Sequence, residues 1–252
     1  MSLLDSTFLR HESCPQCNSR DNLGVWSDGH KWCFGCGFFV PPYKKGTEYV
    51  SRILNKEMKA KKKPELPLDA SYSLPAKAMA WLAKYDVYQS EAVKHGIMWS
   101  QSRQSLIFPL RVHNELIFYQ ERKFEGNVKY LSYGNIEDHI PVIRTVETSL
   151  NKGIVIVVED YISAVRVSER YDCVPLFGSH LSKKLATRLS RMYNTLGIWL
   201  DRDKSQQAIQ FQNEYRALFD TSFVVISDLD PKAYTTNDIQ DHIMDAEAEI
   251  YG

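Results

Sequence analysis

The chain has 252 residues, 44% apolar and 25% charged, and a formal net charge of zero from 31 basic and 31 acidic residues. That composition suits a packed core and excludes a disordered or collagen-like chain. Zero net charge excludes a uniformly cationic nucleic-acid coat, so any basic surface must be local. No run approaches the ~20 apolar residues that span a bilayer, and the start MSLLDSTFLRHE lacks the charged-then-apolar pattern of a secretory leader. The expectation is a soluble, cytoplasmic protein with no membrane partner and with reduced thiols.

In chain order, residues 1–42 carry two matched pairs, Cys14-Pro-Gln-Cys17 and Cys33-Phe-Gly-Cys36, with fifteen residues between them. This is the spacing of a four-thiolate zinc ribbon. Four thiolates close a tetrahedral, structural site with no open position for catalysis, and Gly35 and Gly37 suit the tight turns. Disulfide or redox chemistry is the weaker alternative in a reducing compartment. Phe8, Leu23, Val25, Trp26, Trp32, Phe34, Phe38 and Phe39 supply few apolar contacts, so the metal would contribute on the order of 10 kcal/mol to folding. The fifth cysteine, Cys173, sits in an apolar run and reads as a buried small hydrophobe.

Residues 43–68 form a basic linker with Lys44, Lys45, Lys56, Lys59 and Lys61–Lys63, closed by Pro64 and Pro67, and a helical pattern from Glu48 to Lys59. A phosphate-tracking segment and a plain solvated tether fit it equally. Residues 69–150 read as a small α+β unit. Helices are predicted at Ala76–Lys84 and Ser90–His95, strands at Ser105–Val112 and Glu115–Lys123 around a His113-Asn114 turn, and a short strand at Lys129–Ser132. Residues 151–252 alternate strands (Gly153–Val158, Val174–Phe177, Leu196–Leu200, Ser222–Ser227) with helices (Tyr161–Arg170, Leu181–Tyr193, Ser205–Phe219, 236–249). Buried β-runs alternating with amphipathic helices indicate a mostly parallel sheet with helical cover.

Ligands of open parallel sheets sit beyond the carboxyl ends of the strands. Three predicted strands end there in acids: Glu159-Asp160, Asp201-Arg202-Asp203 and Asp228-Leu229-Asp230. Acids gathered at one edge repel unless a hard cation joins them, and Mg²⁺ takes oxygen ligands while keeping waters for substrate phosphates. Helix capping explains any single acid of this kind. Three strand ends in one segment favour the metal.

Glu159 after an apolar strand, the Gly178-Ser179 turn, Asp201-x-Asp203 and Asp230-Pro231-Lys232 together resemble the Toprim fold of bacterial-type primases, topoisomerases and recombination mediators. A four-cysteine ribbon, a small α+β unit and then Toprim resemble the order in bacterial and tailed-bacteriophage primases. Ser27-Asp28-Gly29-His30-x-x-Cys33 looks like the segment before the second cysteine pair in the primase half of bacteriophage primase–helicase proteins. Gln120-x-Arg122 with Lys129-Tyr130-Leu131 looks like the basic strand region of the primase core. The resemblance covers nearly the whole chain except the linker.

The resemblance implies an α/β architecture: zinc ribbon (1–42), linker (43–68), N-terminal subdomain of the RNA polymerase core (69–150) and Toprim domain (151–252). It implies synthesis of short RNA primers on a single-stranded DNA template from ribonucleoside triphosphates. One structural Zn²⁺ would sit on Cys14, Cys17, Cys33 and Cys36. Mg²⁺ (or Mn²⁺) would be held by Glu159, Asp201 and Asp203, with Asp230 assisting and Glu159 serving as metal ligand or as acid/base. Arg122, Lys123 and Lys129 would grip nucleotide or template. Asp28 and His30 would meet the template, with Trp26 and Trp32 available for base stacking, although residues alone make His30 a plain exposed or packed histidine. Gly178 and Lys204 would serve phosphate. His180 and Lys183, at a predicted helix start, could also face phosphate, although both are ordinary surface placements. Asp160 stands where many relatives have glycine, and Ser163 where some have a further acid. No G-x-x-x-x-G-K-[ST] motif occurs, so either the replicative helicase is a separate chain, like the DNA polymerase, or this sequence is a piece of a longer protein. A non-catalytic DNA-binding or recombination-mediator protein and a Toprim nuclease are the competing readings.

Overall fold

In the computed structural model, residues 6–42, 63–136, 139–144 and 153–250 are described. The chain divides into two compact units, residues 1–62 and 63–252. The helix expected from Glu48 to Lys59 lies outside the described residues, as does most of the basic linker. The linker's end at 63–68 belongs to the second unit, where Lys63 pairs with Glu115.

The first unit is a four-stranded antiparallel sheet of β1 (Phe8–Glu12), β2 (Leu23–Trp26), β3 (Lys31–Cys33) and β4 (Phe39–Val40), in that order. Its buried apolar side chains are Cys14, Leu23, Val25 and Cys33, and Cys36 and Phe38 pack against the cysteine–leucine cluster. Four side chains, two of them thiols, cannot hold a sheet by apolar burial alone.

The second unit opens with α1 (Ala76–Leu82) and α2 (Gln89–Lys94), followed by a sheet ordered β5-β6-β7-β8: Met98–Ser100, Ser105–Val112, Glu115–Lys123 and Tyr130–Gly134. The β6–β7 hairpin turns where expected. His113 and Asn114 both take positive φ, 50° and 68°, the left-handed pair that a two-residue hairpin turn requires. Strand β5 was not expected, because three residues following Gly96 are too few to show an alternating pattern.

A parallel sheet follows. Strands β9 (Ile154–Val158), β10 (Asp172–Pro175), β11 (Thr195–Trp199) and β12 (Thr221–Val224) are ordered β10-β9-β11-β12. Helices α3 (Tyr161–Val167), α4 (Lys183–Leu189), α5 (Ser205–Tyr215) and α6 (Thr236–Ala248) cover it. Predicted helices run long at their C-terminal ends. Tyr161–Arg170 stops at Val167, and the last turn of Ser205–Phe219 tightens to a 3₁₀ turn over Arg216–Leu218. Strand β10 starts and ends two residues before the predicted range, and Phe177 turns away at φ 53°.

Both faces of this sheet are buried. Val155, Val157, Leu196 and Ile198 point into one cluster with α4 and α5, while Ile156, Val158, Trp199 and Phe223 point into another. The second cluster runs without a break into the antiparallel sheet and α1, through Leu82, Phe108 and Phe118. Phe108 stacks on Tyr161 with centroids 5.2 Å apart, and the Tyr161 hydroxyl donates to the His95 carbonyl at 2.8 Å. Ile143 bridges antiparallel to Cys173, which is fully buried as expected. The two segments expected at 69–150 and 151–252 therefore share one core, and this rigidly places the antiparallel sheet beside the acidic strand ends.

Gly197, in the middle of β11, allows that packing. A Cβ there would lie 2.4 Å from Ile156 Cδ1 and 2.8 Å from the Phe223 ring. Gly197→Ala is expected to destabilise the chain by about 1–3 kcal/mol through overpacking, read as a lower urea midpoint.

Candidate functional site

The ribbon's metal cage is assembled by two equivalent knuckles. The Asn18 N–H donates to the Cys14 carbonyl at 2.9 Å, and the Gly37 N–H donates to the Cys33 carbonyl at 3.0 Å. The residue after each knuckle is left-handed, Asn18 at φ 55° and Gly37 at φ 74°, so asparagine does in one what glycine does in the other. Gly35 matters differently from expectation: a Cβ there would press on Asn22 Nδ2 at 3.0 Å. All four Sγ atoms lie within 4.8 Å of one another, with Cys14–Cys36 and Cys17–Cys33 each 3.6 Å apart. Four sulfurs held ~2.3 Å from a tetrahedral zinc ion sit about 3.8 Å apart, so the cage fits. Burial weighs against the Cys17 thiolate, but hydrogen bonding with Ser19 wins and brings this thiol down to about 6. Burial pushes Cys36 up to about 12.

On the ribbon surface, His30 Nδ1 lies 2.5 Å from Asp28 Oδ1, and its ring stacks on Trp26 with centroids 4.4 Å apart and an interplanar angle of 13°. Asp28 thus orients His30 while Trp26 backs it. Trp32 is half-buried and tilted against Phe39. Phe8 and Phe34, read from sequence only as core material, are 45% and 60% exposed and flank Trp26 at 5.5 and 6.1 Å. Their place at the surface follows from strand pairing, which spacing alone does not reveal.

In the second unit the chain leaves β9 for β10 on one side and β11 on the other, so the order reverses between β9 and β11. Crevices at such reversals are the natural ligand sites of parallel sheets. Glu159 follows β9 there, and Asp201 follows β11. One oxygen of each, Glu159 Oε2 and Asp201 Oδ1, is buried without a hydrogen-bond partner. Burial, then the nearby Asp201 charge, pushes the Glu159 carboxyl up to about 7. Burial pushes Asp201 up to about 6, against the pull of Lys232 and with Asp230, Asp160 and Asp203 adding to the rise.

The capping explanation fails for Asp201 and Asp230, whose side chains make no cap bond at the turns they precede. It holds for Asp160, which caps α3 by accepting from the N–H groups of Ile162 at 2.9 Å and Ser163 at 3.1 Å. Ser163 is buried and donates its hydroxyl to Asp160 Oδ2 at 2.7 Å. Lys232 Nζ lies 2.9 Å from both Asp160 Oδ2 and Asp230 Oδ2. Asp203 is exposed, with Lys204 Nζ 3.0 Å away. The acids are more widely spread than the thiols: among the described residues, only the cysteines bring three or more such ligand atoms within 4.8 Å of one another.

The antiparallel sheet meets this edge through its basic strands. The Arg122 guanidinium lies over the Trp81 ring at 4.3 Å and the Phe124 ring at 4.5 Å. The Tyr130 hydroxyl is held up by burial and then by Asp160, with Arg122 and Lys232 pulling the other way. Tyr130 stands opposite Arg122 in the β7–β8 ladder. Lys123 is turned elsewhere, donating to the Arg103 carbonyl at 2.6 Å, and Lys129 is exposed. Gly178 is exposed and donates its N–H to the Glu159 carbonyl at 3.2 Å, tying the turn after β10 to the end of β9. His180 packs edge-on against Phe211 at 5.9 Å, and Lys183 opens the seven-residue α4.

A folded-state carboxyl raised from 4.5 to about 7 binds more protons than the unfolded chain between those values, so stability falls as pH rises through that window. Glu159→Gln should therefore raise the melting temperature of the second unit by roughly 5 °C at pH 8 in divalent-free buffer. At pH 4 it should leave it unchanged, as read by scanning calorimetry.

No protein-family model matches the chain. A stretch of 37 residues, 15% of this chain, is 54% identical to a DNA helicase/primase of Enterobacteria phage T3 and spans 6% of that protein's length. The crystal structure of the Aquifex aeolicus primase (zinc-binding and RNA polymerase domains) superposes over 95% of this chain and 80% of that one, with a TM-score of 0.54 and 14% identity. The primase fragment of the bacteriophage T7 primase–helicase protein covers 95% and 99% of the two chains, with a TM-score of 0.49 and 16% identity. Ribbon, antiparallel sheet and parallel sheet thus follow one another in this chain in the fold of the zinc-binding and RNA polymerase domains of a bacterial primase.

Proposed function

We propose that this chain is a DNA primase that joins ribonucleotides into short RNA primers on single-stranded DNA. The observation that carries the reading is the pair of half-buried carboxylates, Glu159 and Asp201, each with one buried, unpartnered oxygen at the strand-order reversal. The aromatic-backed Arg122 stands opposite Tyr130 on the neighbouring antiparallel sheet. Two oxygen donors, buried and short of partners, suit a hard divalent ion. Glu159 and Asp201 would hold Mg²⁺, with Asp203 reaching in from the exposed turn. The ion would stabilise charge on a transferring phosphoryl group, and the protein's own part would be positioning and electrostatics.

Arg122 lies over two rings and donates to the Lys123 carbonyl at 3.3 Å, so it would present a well-held cation to a triphosphate or template phosphate with little side-chain entropy left to lose. Asp230 acts at one remove, by holding Lys232. On the ribbon, the exposed Phe8 and Phe34 around Trp26 and His30 offer ring faces for unpaired bases. Helicase and DNA polymerase would act as separate chains. The nuclease and binding-only readings lose ground because neither accounts for a zinc ribbon, a cation clamped between rings and a divalent-ion edge in one chain.

The test is direct. Incubated with single-stranded DNA, labelled ribonucleoside triphosphates and Mg²⁺, the wild-type chain is expected to yield short RNA, and Asp201→Ala to lower the yield at least 100-fold. DNA cleavage, or binding without synthesis by a chain supplied with its helicase, would overturn the reading. Cys36→Ser should lose zinc and unfold residues 1–42, while the melting transition of the second unit stays within a degree or two of wild type. Metal analysis and calorimetry check this, and primer initiation at template sites should vanish in the same variant.

A further inference from the structure

The acids at the parallel-sheet edge are not equivalent: a single lysine divides them. Lys232 follows Pro231, which is buried and anchors the turn. Its side chain is 15% exposed, and its Nζ lies 2.9 Å from Asp160 Oδ2 and 2.9 Å from Asp230 Oδ2. The ammonium also sits 5.9 Å from the Tyr85 ring centre. The rest of Asp160's accepting capacity is taken by the Ser163 hydroxyl and the first N–H groups of α3. Asp160 and Asp230 are therefore already bridged by one fixed cation. Glu159 and Asp201 feel Lys204 and Lys232 only at longer range, and Glu159 Oε2 and Asp201 Oδ1 remain buried and unpartnered.

The edge thus offers two cation positions of different kinds. One is bounded by Asp160 and Asp230 and filled by an ammonium. The other is bounded by Glu159 and Asp201 and has oxygens to spare. We infer that Lys232 is a resident cation that takes the place of a second divalent ion, so that this edge binds one divalent ion, through Glu159 and Asp201, rather than a pair. The inference deepens the proposed function and rests on its reading of the edge as a metal site. An ammonium carries three N–H donors. Two are committed to carboxylates here, and the third is available to a phosphate oxygen, so the lysine would supply one positive charge and a phosphate contact where a two-metal site holds its second ion.

The experiment counts Mn²⁺ bound to the zinc-loaded full chain by electron paramagnetic resonance, with no DNA and no nucleotide present. One tightly held Mn²⁺ is expected on the wild-type chain, none on Asp201→Asn, one on Lys232→Arg and two on Lys232→Met. The last variant leaves Asp160 and Asp230 without their cation, so Mg²⁺ should also raise its melting temperature more than it raises that of the wild type. A wild-type chain holding two Mn²⁺ at this edge would overturn the inference while leaving the metal site standing. So would a folded Lys232→Met chain holding no more than the wild type. A wild-type count of zero would overturn the metal reading itself. If Lys232→Met does not fold, the wild-type count against that of Asp201→Asn decides, since two ions lost rather than one contradicts the inference.

Discussion

Two carboxylates held together in a poorly solvated crevice form an interaction that a folding chain would ordinarily avoid. Glu159 and Asp201 are brought side by side because β9 and β11 are neighbours in parallel register, with Val158 opposite Trp199. Both are raised well above the ordinary carboxylate range. The sheet tolerates this because the strands beneath are among the best-buried parts of the chain: Val155, Ile156, Val157, Val158, Ile198 and Trp199 are all fully enclosed. Burying such side chains contributes roughly 1.5–3 kcal/mol each, enough to offset a destabilised edge. Strain of this kind is kept where binding relieves it, and under the proposed function a bound cation would relieve this one.

The surroundings of the pair share that logic. Trp199 donates its indole N–H to Ser227 Oγ at 2.8 Å, and Ser227 in turn donates to the Leu229 carbonyl at 2.7 Å, so the loop after β12 is pinned to the strand carrying Asp201. The loop then turns through Pro231 and delivers Lys232 to Asp160. On the other side, Tyr161 enters the shared core against Phe108 and Phe177. The antiparallel sheet is thereby packed directly against α3. The ribbon solves its problem differently. With so small a core, its order rests on the thiol cage, and its apolar rings are left for the surface.

Most of this architecture is legible in the sequence because it depends on local periodicity. The alternation of β-branched runs with helices gives the parallel sheet, and the cysteine spacing gives the cage. Glu159, Asp201 and Asp230 are found by asking which residues end strands. Strand ends and helix ends are read less well, because they are decided by tertiary partners: α3 stops where the chain must turn back to pair β10 with β9. Asp160 shows the limit most clearly. Read as one more acid at the edge, it is a helix cap and the anchor of a lysine 72 positions away. Phe8 and Phe34 show the same limit from the other side, since aromatic residues in a small module are assigned to the core unless the pairing of the strands is known.

The position of Arg122 carries the argument beyond the metal site. Between the rings of Trp81 and Phe124, a guanidinium has lost most of its freedom without losing its charge or its outward N–H groups. A lysine in the same place would keep the charge but not the flat stacking, and it would give up entropy with each contact. Both Arg122 and Lys123 donate to backbone carbonyls, Arg122 to that of Lys123 at 3.3 Å and Lys123 to that of Arg103 at 2.6 Å. What sets Arg122 apart is its two ring contacts. Tyr130, its partner across the β7–β8 ladder, is held up by burial and acted on by charges of both signs, Asp160 raising its hydroxyl and Arg122 and Lys232 lowering it. The charge balance of a substrate bound at this edge would be set by the basic strand as well as by the acids.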